Sequence, residues 1–384
     1  MSQTYIAGAA MTTFGKHTGV LAPDLAQKAI LNAVKDAEIS LNDVQAIYCA
    51  NVFGGMILGQ VIVRDLGLKG IPVYNVENAC ASGATAVHLA RHAISAGQYD
   101  TVLVFGIEQL TQLGGGTIPL QLNDQMTSLY AQAGMVLPAV YAMRATRYLH
   151  EREATRADLA AIAVKNRFNG SLNEYAQQQS ETTVEEVLAS RMVADPLTLL
   201  QCCPSQVDGA AALVLTTKDR TGRRPVKILA SVVQSGIREE HNDDILDAEI
   251  TARAARLAYE QAGVSPAEVE VVELHDAFTI AELLYYEALG LAEKGEGVQL
   301  LRSGATRING KVAVNPSGGL LAKGHPLGAT GVAQMVEVAW QLQGRAGRRQ
   351  VDSPKIGLTQ CTGGGIAGVD HAASSVHLLG VSDV

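Results

Sequence analysis

The sequence predicts an α/β layered fold built from two similar halves. Segments typical of strands alternate with segments typical of helices over residues 4–105 and again from 226 onwards, as in sheets covered by helices. Two short matches recur in the same order, 37–44 with 262–269 and 80–87 with 325–332. Matches in the same order indicate an internal duplication. The second match superimposes Cys80 on His325.

Composition excludes several classes of protein. A chain of 384 residues is too long for one small core and predicts two domains or one large duplicated domain. A hydrophobic content of 47% excludes a disordered protein, and a net charge of −8 without a dominant basic patch argues against nucleic-acid binding. No apolar run is long enough to cross a bilayer, and no secretory signal is visible. The five cysteines are irregularly spaced, so we expect reduced thiols in a cytoplasmic protein.

The first half is predicted to alternate strand and helix in chain order. Apolar residues with helical spacing, among them Leu25, Ala29 and Ala33, predict a helix over 25–36. A glycine-rich stretch at 51–59 predicts a loop. The other predicted elements are strands at 4–11, 44–49, 71–76 and 101–105 and a helix at 84–97.

A polar and helical segment at 109–206 interrupts this alternation, and nothing in it alternates like a strand. We interpret it as a mostly helical lid, because such insertions often shape a substrate pocket. A strand at 210–216 and a linker at 217–225 follow, and 355–360 is interpreted as the last strand. The predicted domains are an N-terminal half (1–108 and 207–222), the lid (109–206) and a C-terminal half (223–384).

Cys80 lies where a predicted strand hands over to a helix. Unpaired amides and the helix dipole at such a place favour a thiolate. The neighbours Ala79, Ala81 and Gly83 are small, so a substrate could approach the sulfur. The alternative is a buried cysteine that acts as a small hydrophobic residue.

Four further residues lie at predicted strand ends, where α/β proteins place ligands. They are His275, Asn315, His325 and Cys361. Two halves related by a pseudo-twofold axis would bring Cys80 and His325 together as nucleophile and base. Each residue also has a purely structural alternative, as a core histidine, a turn residue, a helix cap or a small apolar residue. No set of ligands has the spacing of a metal site, so no metal is expected.

These motifs together resemble the thiolase superfamily over essentially the whole chain. The matching stretches are Asn78-Ala79-Cys80-Ala81-Ser82-Gly83, His275-Asp276-Ala277-Phe278, Asn315-Pro316-Ser317-Gly318-Gly319, Gly324-His325-Pro326-Leu327-Gly328 and Cys361-Thr362-Gly363-Gly364-Gly365. The resemblance implies a duplicated five-layer α-β-α-β-α fold with an inserted helical loop domain. It also implies acyl-CoA substrates, no permanently bound cofactor and a homodimer or homotetramer. His275, where many thiolases have asparagine, resembles the sterol-carrier-protein-type branch, although no fused sterol-carrier domain is expected.

The resemblance also implies the role of each residue. Cys80 would be acylated, His325 would take its proton, and Cys361 would move the second proton. The backbone N–H groups of Cys80 and Gly363 would hold the oxyanion, and His275 would bind the thioester oxygen of the second substrate. Asn315 would support the site from its loop, and Ser231 would contact the pantetheine arm of the substrate.

The predicted function is that of a coenzyme A-dependent acyltransferase. It would catalyse thiolysis of a 3-ketoacyl-CoA or Claisen condensation of acyl-CoA through an acyl-Cys80 intermediate. One alternative is a decarboxylating ketosynthase, because Cys80, His275 and His325 also form the Cys-His-His set of that group. The other alternative is a catalytically silent acyl-CoA-binding scaffold subunit.

Overall fold

Strands and helices alternate in both halves of the chain. The computed structural model describes residues 3–67, 70–114, 129, 132–218, 222–237, 244–364 and 371–381. The strands are β1 (Tyr5–Met11), β2 (Ala46–Ala50), β3 (Val73–Val76), β4 (Thr101–Gln109), β5 (Met192–Ala194), β6 (Leu197–Thr198), β7 (Asp208–Thr216), β8 (Val226–Ser235), β9 (Val271–Glu273), β10 (Ala313–Val314), β11 (Ile356–Gly363) and β12 (Ala373–Val381).

The helices agree with the predicted positions where predictions were made. They are α1 (Ala22–Asp36), α2 (Leu58–Arg64), α3 (Ser82–Ser95), α4 (Leu137–Glu151), α5 (Arg156–Ser171), α6 (Val184–Ala189), α7 (Glu249–Ala262), α8 (Thr279–Ala288), α9 (Gly297–Arg302), α10 (Gly319–Ala322) and α11 (Leu327–Leu342). None of these described helices combines the length and the apolar character needed to cross a bilayer.

The sheet order confirms the predicted duplication. The main sheet runs β10-β9-β11-β12-β8-β1-β7-β4-β2-β3. Read outward from the centre, β1-β7-β4-β2-β3 corresponds strand for strand to β8-β12-β11-β9-β10. The two halves join where Tyr5 of β1 pairs with Lys227 of β8. Each half is therefore a mixed five-stranded sheet of the same topology.

Helices α3 and α11 lie together between the two sheets. Glycines allow their backbones to approach: a Cβ on Gly331 would lie 2.3 Å from Ala84 N, and one on Gly83 would lie 2.8 Å from Gly328 O. Helix α1 packs on β1, β4 and β7, and α7 packs on β8 and β12. The result is the predicted five-layer α-β-α-β-α arrangement, with the start of α3 close to the start of α11.

The first sequence match also has a structural counterpart. Residues 37–44 and 262–269 each contain a short 3₁₀ turn, and a serine caps the start of each turn in a capping box. The Ser40 N–H donates to Asp43 Oδ2 (2.9 Å), and the Ser265 N–H donates to Glu268 Oε2 (2.8 Å). Such reciprocal capping satisfies backbone groups that would otherwise lack partners, so the same local sequence folds alike in both halves.

Two details differ from the sequence expectations. The segment between β4 and β7 contains α4, α5 and α6 but also a small hairpin, β5–β6. In addition, the strand predicted at 355–360 is β11 and is not the last one. Strand β12 follows it and pairs with both β11 and β8. Strand β12 carries Ser374, Ser375 and His377 in a fully buried position. A buried strand with so many polar residues lacks the apolar run that predicts one.

Candidate active site

A strained turn presents Cys80 just before α3. Ala79 has a left-handed φ of 48°, which is uncommon for a residue with a side chain and is often found at functional sites. Its N–H donates to Glu77 Oε1 (2.7 Å), and its carbonyl accepts from Ser82 Oγ (2.6 Å). The Asn78 N–H donates to the same Ser82 hydroxyl (2.8 Å). These bonds hold the turn and place the sulfur at the junction of the two halves.

Cys80, His275 and His325 converge. One donor atom from each, the thiol sulfur and one ring nitrogen of each histidine, lies within 4.8 Å of the others. The two imidazole rings meet edge to face with their centroids 4.8 Å apart. Both Nε2 atoms are buried and find no hydrogen-bond partner among the described residues. Buried polar atoms are normally paired, so these nitrogens are available to a substrate.

The other ring nitrogen of His325 is held by Thr330. Nδ1 lies 2.7 Å from Thr330 Oγ1, which also donates to the Pro326 carbonyl (3.2 Å). A hydroxyl has one proton, and this one is donated to Pro326, so Oγ1 accepts from Nδ1–H and Nε2 is the unprotonated ring nitrogen. Burial lowers the pKa of His325 to about 3, and the ring is therefore a neutral imidazole at neutral pH.

At Cys80 the effect of burial on the thiol pKa is larger than the opposite effect of the helix N-terminus. It raises the pKa of the Cys80 thiol to about 12, although the backbone N–H groups of Gly364 and of Cys80 itself act in the opposite direction. The expected thiolate is therefore wrong for the free site. Desolvation disfavours the charged form, and the sulfur must lose its proton as it reacts.

Cys361 approaches the same turn from β11. Its Sγ donates to the Cys80 carbonyl (3.1 Å), and its own carbonyl accepts from Ser375 Oγ (3.1 Å). A Cβ on Gly363 would lie 2.4 Å from Asn78 O, so only glycine lets β11 come this close. The neighbouring N–H that contacts the Cys80 sulfur is that of Gly364, one residue beyond Gly363.

A chain of side chains that sequence analysis missed lies behind His275. Its Nδ1 lies 3.3 Å from Thr362 Oγ1, which lies 3.2 Å from the Tyr285 hydroxyl. The Tyr285 hydroxyl lies 3.4 Å from that of Tyr141 on α4, and Tyr141 lies 2.7 Å from His371 Nε2. These positions carry no spacing in the sequence that would have connected them.

His371 ends this series of contacts next to Cys80. Its Nδ1 lies 2.7 Å from the Gly364 carbonyl. A carbonyl only accepts, so Nδ1 donates and Nε2 accepts from the Tyr141 hydroxyl. The residue whose amide contacts Cys80 is thereby tied to the lid helix. The His275 and His371 rings lie 6.4 Å apart.

Asn315 supports the site from a buried polar network. Its backbone is left-handed, with φ at 53°. Its Oδ1 accepts from the Leu274 N–H (2.9 Å), and its Nδ2 donates to Glu282 (3.0 Å). Lys165 on α5 pairs with the same carboxylate at 2.9 Å. Burial and the Glu282 charge raise the pKa of Asp276, next to His275, to about 8.

Ser231 is not brought together with these groups. Its hydroxyl lies 2.9 Å from Nδ1 of His88 and 2.9 Å from Nδ1 of His377, and the residue is buried. It belongs to β8, which β12 separates from Cys361 on β11. The contact with a pantetheine arm stays a prediction, and in this structure the hydroxyl contacts the two histidines.

Two family models and several relatives match most of this chain. The model described as "Thiolase, N-terminal domain" matches residues 4–219, and "Thiolase C-terminal domain-like" matches 234–376. Benzoylsuccinyl-CoA thiolase subunit BbsB of Thauera aromatica is 42% identical over 94% of this chain and 95% of its own. Acetyl-CoA acetyltransferase of Methanothermobacter thermautotrophicus is 41% identical over 95% and 97%. Human sterol carrier protein 2 is 38% identical over 93% and 69%.

Solved structures show the same fold. An Ltp2–ChsH2(DUF35) aldolase superimposes with a TM-score of 0.84 at 25% identity, covering 99% of this chain and 98% of that chain. An acetyl-CoA acetyltransferase from Syntrophomonas wolfei superimposes with a TM-score of 0.76 at 21% identity over the full length of both chains.

Proposed function

The chain belongs to the thiolase family, and from that premise we propose that its coenzyme A-dependent acyl transfer proceeds through an acyl-Cys80 intermediate. The observation that carries this assignment is the convergence of Cys80, His275 and His325 within 4.8 Å. Both histidines have an open Nε2 there. A nucleophile within reach of a base is the arrangement that covalent catalysis requires.

In the first step the Cys80 sulfur attacks a thioester carbonyl while His325 Nε2 takes its proton. In condensation the bond from the carbonyl carbon to the coenzyme A sulfur breaks, and coenzyme A leaves with the proton from His325. In thiolysis the sulfur instead attacks the 3-keto carbonyl of the substrate, the bond between C2 and C3 breaks, and acetyl-CoA leaves as an enolate that takes a proton from Cys361. The Thr330 contact at Nδ1 supports this role because it leaves Nε2 open. The N–H groups of Cys80 and Gly363 hold the oxyanion, and one such donor contributes about 3 kcal/mol.

In the second step Cys361 moves the other proton. In condensation it takes the proton from the α-carbon of a second acyl-CoA, and the resulting carbanion attacks acyl-Cys80. In thiolysis it takes the proton from the attacking coenzyme A thiol. His275, together with His325, binds the thioester oxygen on which negative charge develops. Asn315 keeps this region in place through the Leu274 amide.

Intact-protein mass after addition of acetoacetyl-CoA tests the assignment. We expect one acetyl adduct on the wild-type protein, removed by free coenzyme A, and none on Cys80→Ala. An adduct that persists in Cys80→Ala would contradict the assignment of the nucleophile. No adduct with acetoacetyl-CoA, acetyl-CoA or longer 3-ketoacyl thioesters would favour a silent acyl-CoA-binding scaffold.

The chain divides into the N-terminal half (1–108 and 207–222), a lid (109–206) and the C-terminal half (223–384). The antiparallel pairing of β4 with β7 supports the first boundary, because the lid leaves one strand and returns to its neighbour. Coenzyme A is a substrate or product in this scheme and no cofactor or metal is bound permanently.

The active form is a homodimer or a homotetramer in the cytoplasm. Strand β3 lies at the edge of the sheet, and Tyr74 on it is 42% exposed. Met56 and Ile57, just before α2, are 93% and 61% exposed. Exposed apolar groups beside an unpaired edge favour contact with another chain. The five cysteines are all unpaired, which suits a reducing compartment.

A second candidate is a partner-dependent enzyme that makes or breaks carbon–carbon bonds. The similar aldolase structure is named for two proteins, Ltp2 and ChsH2, and the Thauera relative is named as a subunit. On this alternative the isolated chain would bind acyl-CoA without turnover. Turnover by the purified chain alone would exclude it.

A further inference from the structure

Arg144 on α4 is a fully buried cation without a counter-charge. Its side chain is 0% exposed, and its three guanidinium nitrogens find no hydrogen-bond partner among the described residues. The other buried basic side chains in the described part of the chain each pair with a carboxylate at 2.9 to 3.1 Å, namely Lys165 with Glu282, Lys323 with Glu273 and Arg349 with Glu337. Arg144 differs from all of them.

The contacts that Arg144 does make do not offset its burial. Its guanidinium carbon lies 5.5 Å from the centre of the Tyr141 ring, and such a cation–π contact contributes about 0.5–2 kcal/mol. The desolvation of an unpaired ion costs several kcal/mol even after relaxation. The free protein therefore holds a charge that an anion would stabilise.

Arg144 is also connected to the candidate active site through Tyr141. Tyr141, three residues before it on α4, contacts His371 at 2.7 Å, and the His371 ring lies 6.4 Å from that of His275. The Tyr141 ring also stacks on Phe278 at 4.5 Å, three residues after His275. Tyr141 therefore links Arg144 to residues that adjoin His275, so an acyl-CoA bound with its thioester at Cys80 and His275 is the candidate source of the missing anion.

We propose that Arg144 is a specificity-determining residue that binds an oxyanion of the substrate, a carboxylate on the acyl chain or a phosphate of coenzyme A. The planar guanidinium matches either group with two parallel hydrogen bonds. The inference rests on the proposed function, since it assumes an acyl-CoA at Cys80. With a carboxylate as ligand, the substrate class is a 3-ketoacyl thioester that carries a second acid group.

Matched thioesters distinguish the two sources. The first pair is 3-oxoadipyl-CoA, which ends in a carboxylate, against 3-oxohexanoyl-CoA, which ends in a methyl group. The second pair is acetoacetyl-CoA against S-acetoacetylpantetheine, which lacks the nucleotide phosphates. In Arg144→Met we expect the kcat/KM preference of one pair to fall about 10- to 100-fold, the effect of one hydrogen bond to a charged group. A change in the first pair identifies a carboxylate, and a change in the second a phosphate.

Arg147→Met is the matched control, because Arg147 lies on the same helix but is exposed and paired with Glu151. It should change neither preference, and Arg144→Lys should keep part of the affected one. Arg144→Met should also raise the melting temperature of the free protein, because it removes an unpaired buried charge. Two unchanged preferences, or a variant that no longer folds, would overturn the proposal.

Binding to Cys80→Ala separates this proposal from the proposed function. No chemistry occurs in this variant, so binding alone is measured, with and without Arg144→Met. The affinity of 3-oxoadipyl-CoA is compared with that of 3-oxohexanoyl-CoA, and the affinity of acetoacetyl-CoA with that of S-acetoacetylpantetheine. If the wild-type protein forms no acyl adduct but the Arg144 substitution still weakens one of these ligands selectively, the catalytic assignment fails and the Arg144 site stands. The reverse result removes the Arg144 site alone.

Discussion

At the scale of single residues, both the proposed nucleophile, Cys80, and the proposed base, His325, are uncharged in the free protein. The pKa of Cys80 is raised to about 12 and that of His325 is lowered to about 3, in both cases chiefly by burial. Two amides near the sulfur favour the thiolate but do not offset desolvation. In the proposed mechanism the proton therefore moves from sulfur to nitrogen during the attack, when the developing oxyanion is also held.

This charge state predicts the pH dependence of alkylation. As long as the pH is below the pKa of Cys80, each unit of increase in pH should raise the thiolate fraction about tenfold. Without substrate, the rate of Cys80 modification by iodoacetamide should therefore rise continuously from pH 6 to 9. Mass spectrometry of the labelled peptide, beside Cys80→Ala, separates this site from the other cysteines. A plateau near neutral pH would instead indicate a thiolate–imidazolium pair.

Cys361→Ala distinguishes a thiolase from a decarboxylating ketosynthase. In a thiolase this change should leave acylation of Cys80 by acetyl-CoA detectable and lower overall turnover by at least about 100-fold, the lower range for a general base. The hydrogen bond from Cys361 to the Cys80 carbonyl is also lost, so acylation should slow slightly. Decarboxylation of a malonyl thioester generates the carbanion without this thiol. Full condensation activity in the variant would favour the ketosynthase.

At the scale of elements, helix α5 fastens the lid region to the C-terminal half through buried polar contacts. Lys165 Nζ donates to Val314 O (2.8 Å) and pairs with Glu282, while Asn166 donates to Asp276 (2.8 Å). Asn169 donates to the Asn315 carbonyl (2.9 Å). The same helix therefore contacts the segment that follows β10 and the residue next to His275.

Removal of the cation from this network should be costly. Lys165→Met leaves Glu282 buried without its counter-charge, which typically lowers the free energy of unfolding by about 3–5 kcal/mol. Denaturant unfolding monitored by the fluorescence of Trp340, the one tryptophan in the sequence, measures the loss. The control is Lys294→Met, since Lys294 is 62% exposed where it pairs with Asp247 and should cost under about 1 kcal/mol. Equal losses in the two variants would contradict this role.

Several elements were predictable because their signal is local. The starts of α3 and α11 follow from stretches of small residues that recur at corresponding places, and both 3₁₀ turns follow from a serine with an acidic residue three positions later. Strand β12 was not predictable, because its buried Ser374, Ser375 and His377 resemble a polar loop. Partners far apart in the chain leave no local signal, so the contacts of Thr362, Tyr285 and His371 were missed.

Arg144 illustrates the same limit within a helix. An arginine in a helical pattern predicts an exposed position, yet α4 turns this side chain into the interior. Ser231 shows the same limit, because position along a strand does not specify the side chains of other strands and helices, here His88 and His377, that its hydroxyl contacts. Local pattern thus singled out Cys80 and its candidate partners, while the surroundings that tune them depend on tertiary packing.

At the scale of the whole molecule, the exposed edge of β3 allows a direct test of the proposed homodimer. Met56→Glu changes a side chain that is 93% exposed, so the fold of one chain should be unaffected. A charge placed in an apolar interface should lower the mass measured by light scattering toward that of one chain. Leu21→Glu is the control, because Leu21 is 61% exposed on the first half and precedes α1. Wild-type mass in Met56→Glu would place the contact elsewhere.

The hydrogen bond from Cys361 to the Cys80 carbonyl joins residues 281 positions apart, and this separation has a consequence during protein synthesis. The ribosome makes Cys80 early, and His325, just before α11, and Cys361 on β11 emerge only near the end. Contacts between such distant segments form late, because long loops must close first. A nascent chain therefore carries Cys80 without His325, its proposed base. Such a chain cannot be acylated in this way until synthesis of the second half is almost complete.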